Sequence, residues 1–362
     1  MADGDATRDA IYCARPTLRF SGEADERASQ LVQELRMSEG EGGMRALELV
    51  LSDWASTTDG GAERAFEGSD NLRLGAEIEV GIGPQDAPVA IFRGRITGLE
   101  SLYENGQAPR LRVLSEDALL GARLARRSRV FSDCSPADVV RQIASGLGLE
   151  CVVAGLQSPV ATRVQLDETD LAFLRRLLAR LDADLQVADG RLQVSPRGDV
   201  GRGRIALAAE ADLHSLRVCA DLAEQVTALA VRGWDAVQGR KVEAVANAAV
   251  HPGPGRGRSG ADVLNETFGE REENLGHLAV RDRDEAQALA EAAFDRRARR
   301  FLRAEGVAIG NPALRVGATV ALSGAGAGYD NEYYVVRTCH RYDGANGYRT
   351  EFAAECAWLG EG

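Results

Sequence analysis

Val307–Phe352 reads VAIGNPALRVGATVALSGAGAGYDNEYYVVRTCHRYDGANGYRTEF, and its pattern decides the fold. Three apolar-alternating runs, Thr319–Leu322, Tyr333–Thr338 and Tyr348–Phe352, are separated by loops rich in Gly, Asn and Asp. Alternation of period two between such loops predicts half-buried antiparallel strands. Gly324, Gly326 and Gly328 suit a tight first connection, and Asp343-Gly344 with Asn346-Gly347 mark the second. A β-meander or part of a barrel is expected. The stretch carries no nucleophile, paired carboxylate or metal cluster.

Working outward, strands are expected at Pro16–Phe20, Ala46–Leu51, Glu77–Val80, Val89–Leu99 and Arg110–Leu114, with a loop over Ser56–Ser69. Residues 1–12 read as a flexible tail and 13–116 as a first β-domain. The character changes in 117–200. Ser135-Pro136-Ala137-Asp138 is a helix start with its cap, proline and acid in order, and Val139, Val140, Ile143 and Leu147 supply one apolar face. A second helix runs from about Thr169 to Leu181, with Leu171, Leu174 and Leu178 on one stripe and Phe173 beside it. Leu185–Val187 and Leu192–Val194 flank Asp189-Gly190 as a hairpin, which makes this segment an α+β unit.

From 201 to 362 strands return at Val226–Trp234 and Lys241–Ala246, with a loop and helix insertion at about 247–306. His251–Asp262, HPGPGRGRSGAD, reads as a mobile surface loop, since it lacks the Gly-Lys-Ser/Thr of a phosphate loop. Asp284–Ala304 reads as a long helix with Gly306 as its C-cap. Its terminal arginines, 296, 297, 299, 300 and 303, are expected to be solvated.

The two β regions resemble each other. Leu72-Arg73-Leu74-Gly75-Ala76-Glu77-Ile78 lines up with Leu314-Arg315-Val316-Gly317-Ala318-Thr319-Val320. Ile91–Leu99 then matches Tyr333–Tyr342, and Arg110–Ser115 matches Tyr348–Ala353. The expected fold class is therefore β-rich α+β, with two similar small β-barrels separated by an α+β domain and a long helix packed on the second barrel. Three such chains would present six similar barrels, a pseudo-sixfold ring with true threefold symmetry.

Composition narrows the function. The net charge is -12, from 43 basic and 55 acidic residues, which disfavours a stable nucleic-acid complex held by a basic surface. The polar start MADGDATRDA has no apolar h-region, and no apolar run approaches a membrane span, so membrane insertion is not expected. The six cysteines form no CxxC and read as reduced thiols of a protein made in the cytoplasm. His340 beside Cys339 invites a zinc reading, but neighbours on a strand face opposite ways, so a packed structural histidine is expected. His214, His251 and His277 have no partner pattern, and no catalytic motif appears. No cofactor or metal is expected, and the chain does not read as an enzyme. Tyr333, Tyr334, Tyr342 and Tyr348 are expected in a core or interface.

These residues also resemble the late control gene D family of contractile phage tails, related to the N-terminal hub portion of the VgrG spike proteins of type VI secretion. The resemblance is carried by Ser259-Gly260-Ala261, Gly310-Asn311-Pro312-Ala313-Leu314-Arg315-Val316-Gly317, and Tyr333-Tyr334-Val335 with His340-Arg341-Tyr342 and Gly347-Tyr348-Arg349-Thr350-Glu351-Phe352. Glu168–Leu177, with Phe173, resembles the family's acidic-aromatic-Arg helix. The family-signature positions are thus Phe173, Asn311, Pro312, Gly317, Tyr334, His340, Gly347, Tyr348 and Thr350, all structural. The resemblance implies a homotrimeric baseplate hub that joins the hexameric inner tube protein to a trimeric spike and meets baseplate wedge or tube-initiator proteins. It also implies cytoplasmic assembly into a phage tail or tail-like particle. The chain shows no oligonucleotide-fold domain or Val-Gly repeat after the second β region, so a separate spike protein is expected. One departure is the turn Tyr329-Asp330-Asn331-Glu332, where Asn331 is expected to take the left-handed conformation that glycine usually supplies. Alternative readings are a cargo or effector adaptor and a tail-associated hydrolase.

Overall fold

In the computed structural model, which describes residues 15–56, 62–84, 87–188, 190–235, 238–276 and 280–360, the strands of Val307–Phe352 join a 13-stranded sheet. The expected tail at 1–12 lies outside these residues.

The first part of that sheet is built from β1 (Thr17–Phe20), β2 (Val32–Gly40), β3 (Ala46–Ser52), β4 (Glu77–Ile82), β5 (Val89–Leu102) and β6 (Arg110–Glu116). The short helix α1 (Glu26–Gln30) lies between β1 and β2, capped by the Asp25 side chain. The spatial order is β2-β3-β6-β5-β4-β1, antiparallel throughout. Leu47, Leu49 and Leu51 point into a core with Leu18, Ile78, Val80, Phe92 and Val113, all almost fully buried. Each such side chain contributes roughly 1.5–3 kcal/mol by leaving water. The expected loop Ser56–Ser69 holds a two-residue ladder of Ala55–Ser56 against Ala62–Glu63, and 57–61 lie outside the described residues.

The middle segment pairs β7 (Arg126–Cys134) with β9 (Ala161–Thr169) in an antiparallel hairpin-like ribbon. Between them lie α2 (Pro136–Gly146) and β8 (Cys151–Val153). Helix α2 begins in a complete capping box between Ser135 and Asp138. Helix α3 (Asp170–Ala179) is capped by Thr169. Strands β10 (Ala183–Ala188) and β11 (Arg191–Pro196) form the expected hairpin, with β8 parallel to β11. Val139, Val140, Ile143, Leu171, Leu174 and Leu178 fill this core as their helical spacing requires.

The second part of the large sheet uses β12 (Arg204–Ala208) and β13 (Leu213–Ala220). The chain then leaves it for a small separate core: β14 (Ala228–Asp235), β15 (Arg240–Ala246), α4 (Gly260–Phe268), β16 (Glu272–Asn274) and α5 (Arg283–Arg299). It returns through β17 (Leu302–Ile309), β18 (Thr319–Ser323), β19 (Glu332–Asp343) and β20 (Gly347–Cys356). The order β13-β17-β20-β19-β18-β12 repeats that of the first set strand for strand. It differs at the last step, where β12 runs parallel to β18 whereas β1 is antiparallel to β4.

Irregularities repeat as well. Register shifts fall between Ile96 and Gly98 in β5 and between Val335 and Arg337 in β19. They recur between Val32 and Glu34 in β2 and between Leu213 and Ser215 in β13. Gly75 and Gly317 have φ values of 84° and 85°. Each donates its N–H to the next-but-one strand element, Gly75 to the Ile96 carbonyl at 2.8 Å and Gly317 to the Val335 carbonyl at 2.9 Å. The ladders place Glu77–Arg95 against Thr319–Tyr334, and Ser115 against Ala354. The sequence alignment of β5 on β19 is thereby displaced by three residues and that of β6 on β20 by one, because hairpin lengths differ.

Four local expectations change. Gly306 is not a helix C-cap: α5 ends at Arg299, and Gly306 lies inside β17, where an added Cβ would meet the Phe352 ring at 2.9 Å. The passage His251–Asp262 is anchored rather than loose. Ser259 caps α4, and Arg258–Ser259 pairs with Trp358–Leu359. Asn331 takes no left-handed conformation; its amide instead bonds the backbone of Arg256 (2.9 and 3.1 Å) and the carbonyl of Trp358 (3.0 Å). The α5 arginines are not simply solvated, since Arg299 is fully buried and Arg297 is paired with Glu273. Among the described residues no helix is long and apolar enough to cross a membrane, and the five cysteines there are free.

Candidate interaction site

The two six-strand sets meet where β19 pairs with β2, from Arg337 opposite Gly40 to Asp343 opposite Glu34. Within β19, Thr338, His340 and Tyr342 face the protein interior, and Tyr342 and Tyr348 enter the core of the first set. His340 Nδ1 and the Tyr348 hydroxyl share a 2.7 Å hydrogen bond. Thr350 Oγ1 is 3.4 Å from the same nitrogen and accepts the Asn311 N–H at 3.1 Å. The Asn311 side chain in turn accepts from Ala313 N–H (2.9 Å), which turns the chain through the buried Pro312. Burial, with the nearby Arg315 charge, lowers the His340 imidazole to about 3, so it is neutral and packed. Burial pushes the Tyr348 and Tyr334 hydroxyls up.

Charges are buried at this seam in pairs. Glu39 of β2 accepts from Arg45 Nε at 3.0 Å and from Arg315 Nε at 3.1 Å. Burial pushes its carboxyl up, but the two guanidinium groups outweigh that and hold it below the usual range. Arg202 reaches Asp184 at 2.6 Å, and an alanine methyl at Gly317 would collide with Arg202 Nη1 at 2.5 Å. Arg197 bonds Glu41 at 2.9 Å, and burial raises Glu41 to about 7. A cavity of about 920 Å³ opens between the first set and the middle segment. Its arginines 45, 93, 95, 202 and 315 each meet a carboxylate, with Arg45 and Arg315 sharing Glu39.

Of the family-signature residues, Asn311, Pro312, Gly317, Tyr334, His340, Tyr348 and Thr350 therefore gather at or beside the seam, and Gly347 closes the β19–β20 hairpin with φ 68°. Phe173 stands apart in the middle core, stacked on Phe131 at 5.4 Å. Sequence reading gives Glu39 and Arg45 no role, and places Arg315 in the internal repeat without its buried ion pair. Glu39 falls at an inward position of β2, but nothing local marks a buried carboxylate whose arginine lies far along the chain. Among the described residues no group of three or more His, Cys, Asp and Glu side chains is placed to hold a metal ion.

Solved structures share this architecture. A 43 kDa tail protein of prophage MuSo2 from Shewanella oneidensis superposes with a TM-score of 0.66 at 13% identity, over 94% of this chain and 98% of its own. This chain has the fold of phage tail proteins. A tail protein from Neisseria meningitidis MC58 gives a TM-score of 0.62 at 11% identity, over 95% of this chain and 97% of that one. The Escherichia coli c3393 protein, a type VI secretion component similar to the T4 tail proteins gp27 and gp5, gives 0.58 at 13% identity, over 95% and 79%. No curated protein matches the sequence. A family model described as the Alg8 N-terminal domain matches residues 49–343, weakly. Its ends fall inside β3 and at the last residue of β19, so it divides β19 from the β20 strand paired along it. The tail-protein fold, by contrast, takes in both six-strand sets.

Proposed function

We propose that this chain is the structural baseplate hub of a contractile phage tail or a phage tail-like injection system. Three copies form a ring that joins the hexameric inner tube to a trimeric spike supplied by another protein, with wedge or tube-initiator proteins as further partners. In this reading 13–116 and 201–362 are two tube-type β-barrels, 117–200 is the middle domain, and about 247–306 is an insertion on the second barrel.

The observation that carries the reading is the repeat of one six-strand order within a single chain, in a fold shared with tail proteins. Six similar sets from three chains offer near-sixfold symmetry to the tube while the chains keep true threefold symmetry for the spike. The role is mechanical. The signature residues Asn311, Pro312, Gly317, Tyr334, His340, Gly347, Tyr348 and Thr350 hold the seam in shape, and Phe173 holds the middle domain. Solution mass, measured with and without a candidate spike protein, tests the proposal. A trimer that co-purifies with tube or spike protein is expected; a strict monomer in both conditions overturns it.

A further inference from the structure

We infer that neighbouring copies join by pairing the open edge of β5 in one copy with the open edge of β13 in the next, in the register that β19 and β2 use within one chain. The inference rests on the hub reading in taking a second copy as the partner.

The two edges are the counterparts of a pair already formed. Strand β4 accompanies β5 only as far as Arg95, while β6 follows its other side to Leu102. Among the described residues β13 ends the sheet, paired with β17 alone. By the shared bulges, β5 corresponds to β19 and β13 to β2. Carrying over the β19–β2 register sets Leu99 opposite Ala220, Glu100 opposite Cys219, Ser101 opposite Val218, Leu102 opposite Arg217 and Tyr103 opposite Leu216.

Exposure follows the same correspondence. Thr338 is 0% exposed and Tyr342 7%, whereas their counterparts Leu99 and Tyr103 are 36% and 74% exposed; Ser101, the counterpart of the buried His340, is exposed too. On the facing strand Leu35 and Met37 are buried, while Leu216 and Val218 are only half-buried. Pairing would place Leu99 and Tyr103 with Leu216 and Val218 on the inner face, as Tyr342 already enters the first core. On the outer face Arg217 would lie between Glu100 and Glu104, at diagonal cross-strand positions. Unpaired strand edges of this kind associate through main-chain hydrogen bonds, and a head-to-tail contact closes into a ring when its rotation allows.

The native thiol of Cys219 is exposed and provides the test. Directly opposed residues of an antiparallel pair lie within the span of a disulfide. The full-length Glu100→Cys protein, oxidised at a concentration where it assembles, should run mostly as linked chains on a non-reducing gel. Wild type should not, and adding Cys219→Ser should abolish the links. The Ser101→Cys, Val218→Cys pair checks the adjacent register position in the Cys219→Ser background. A trimer by mass in which neither pair links overturns this inference and leaves the hub reading standing. A monomer at every concentration, with and without spike protein, overturns both.

Discussion

Arg299 reaches from α5 to Asp182, its two terminal nitrogens 2.5 and 2.7 Å from the two carboxylate oxygens, with both side chains almost wholly buried. Burial alone would lower the guanidinium pKa, but the Asp182 charge and hydrogen bond outweigh it and raise it. The pair ties the insertion to the middle segment. Asp182→Ala, which strands a buried cation, is expected to cost about 3–5 kcal/mol. Arg299→Met should cost less, because Arg197 still faces Asp182 at 3.6 Å. Urea unfolding with both variants and the double substitution measures this; equal losses from the two single variants would refute the account.

His340 makes the fold acid-sensitive. Its folded value, about 3, lies below the free value of 6.5, so the unfolded chain takes up the proton first. The stability held at neutral pH is therefore lost as pH falls below about 6.5, and the loss levels off only below about 3. About 3 kcal/mol should disappear between pH 7 and pH 4 from this group. Denaturation midpoints across that range should fall less steeply for His340→Gln. A slope unchanged by that substitution would place the acid lability elsewhere.

Gly75 and Gly317 share a backbone conformation but not a surrounding. Nothing lies within 4 Å of an added Cβ at Gly75, whereas at Gly317 Arg202 and Val200 stand at 2.5 and 2.7 Å. Gly75→Ala should cost only the left-handed strain, about 1–3 kcal/mol. Gly317→Ala should cost at least about 1 kcal/mol more, since it also disturbs the Arg202–Asp184 pair at the seam. Chemical denaturation of the two variants decides the comparison.

Phe173 lies flat against Phe131, with the Arg176 guanidinium 5.2 Å from its ring centre. Phe173→Ala is expected to cost about 3–5 kcal/mol through the cavity it leaves. Phe173→Leu should keep most of that. Calorimetry that showed less than about 1 kcal/mol for the alanine variant would contradict the packing described here.

Signals that act between near neighbours were legible. Ser135 and Thr169 cap the helices expected of them, and Asp343 to Gly347 makes the expected hairpin. Strand β2 escaped notice because its bulge at Val32–Glu34 breaks the alternation and Glu39 occupies a buried position. Phe301 and Leu302 continue the apolar spacing of α5, which carries the expected helix into the start of β17. Its extended form is set by pairing with β13 and β20.

The strand-rich ends, the capped helices between them and the internal likeness around Gly75 and Gly317 all follow from residue pattern. Periodicity, caps and turns depend on residues a few places apart. The pairing of β19 with β2, the joining of Arg45 to Arg315 through Glu39, and the open edges of β5 and β13 are settled by the folded chain as a whole. Those outcomes depend on segments hundreds of residues apart competing for the same hydrogen bonds and the same dry interior.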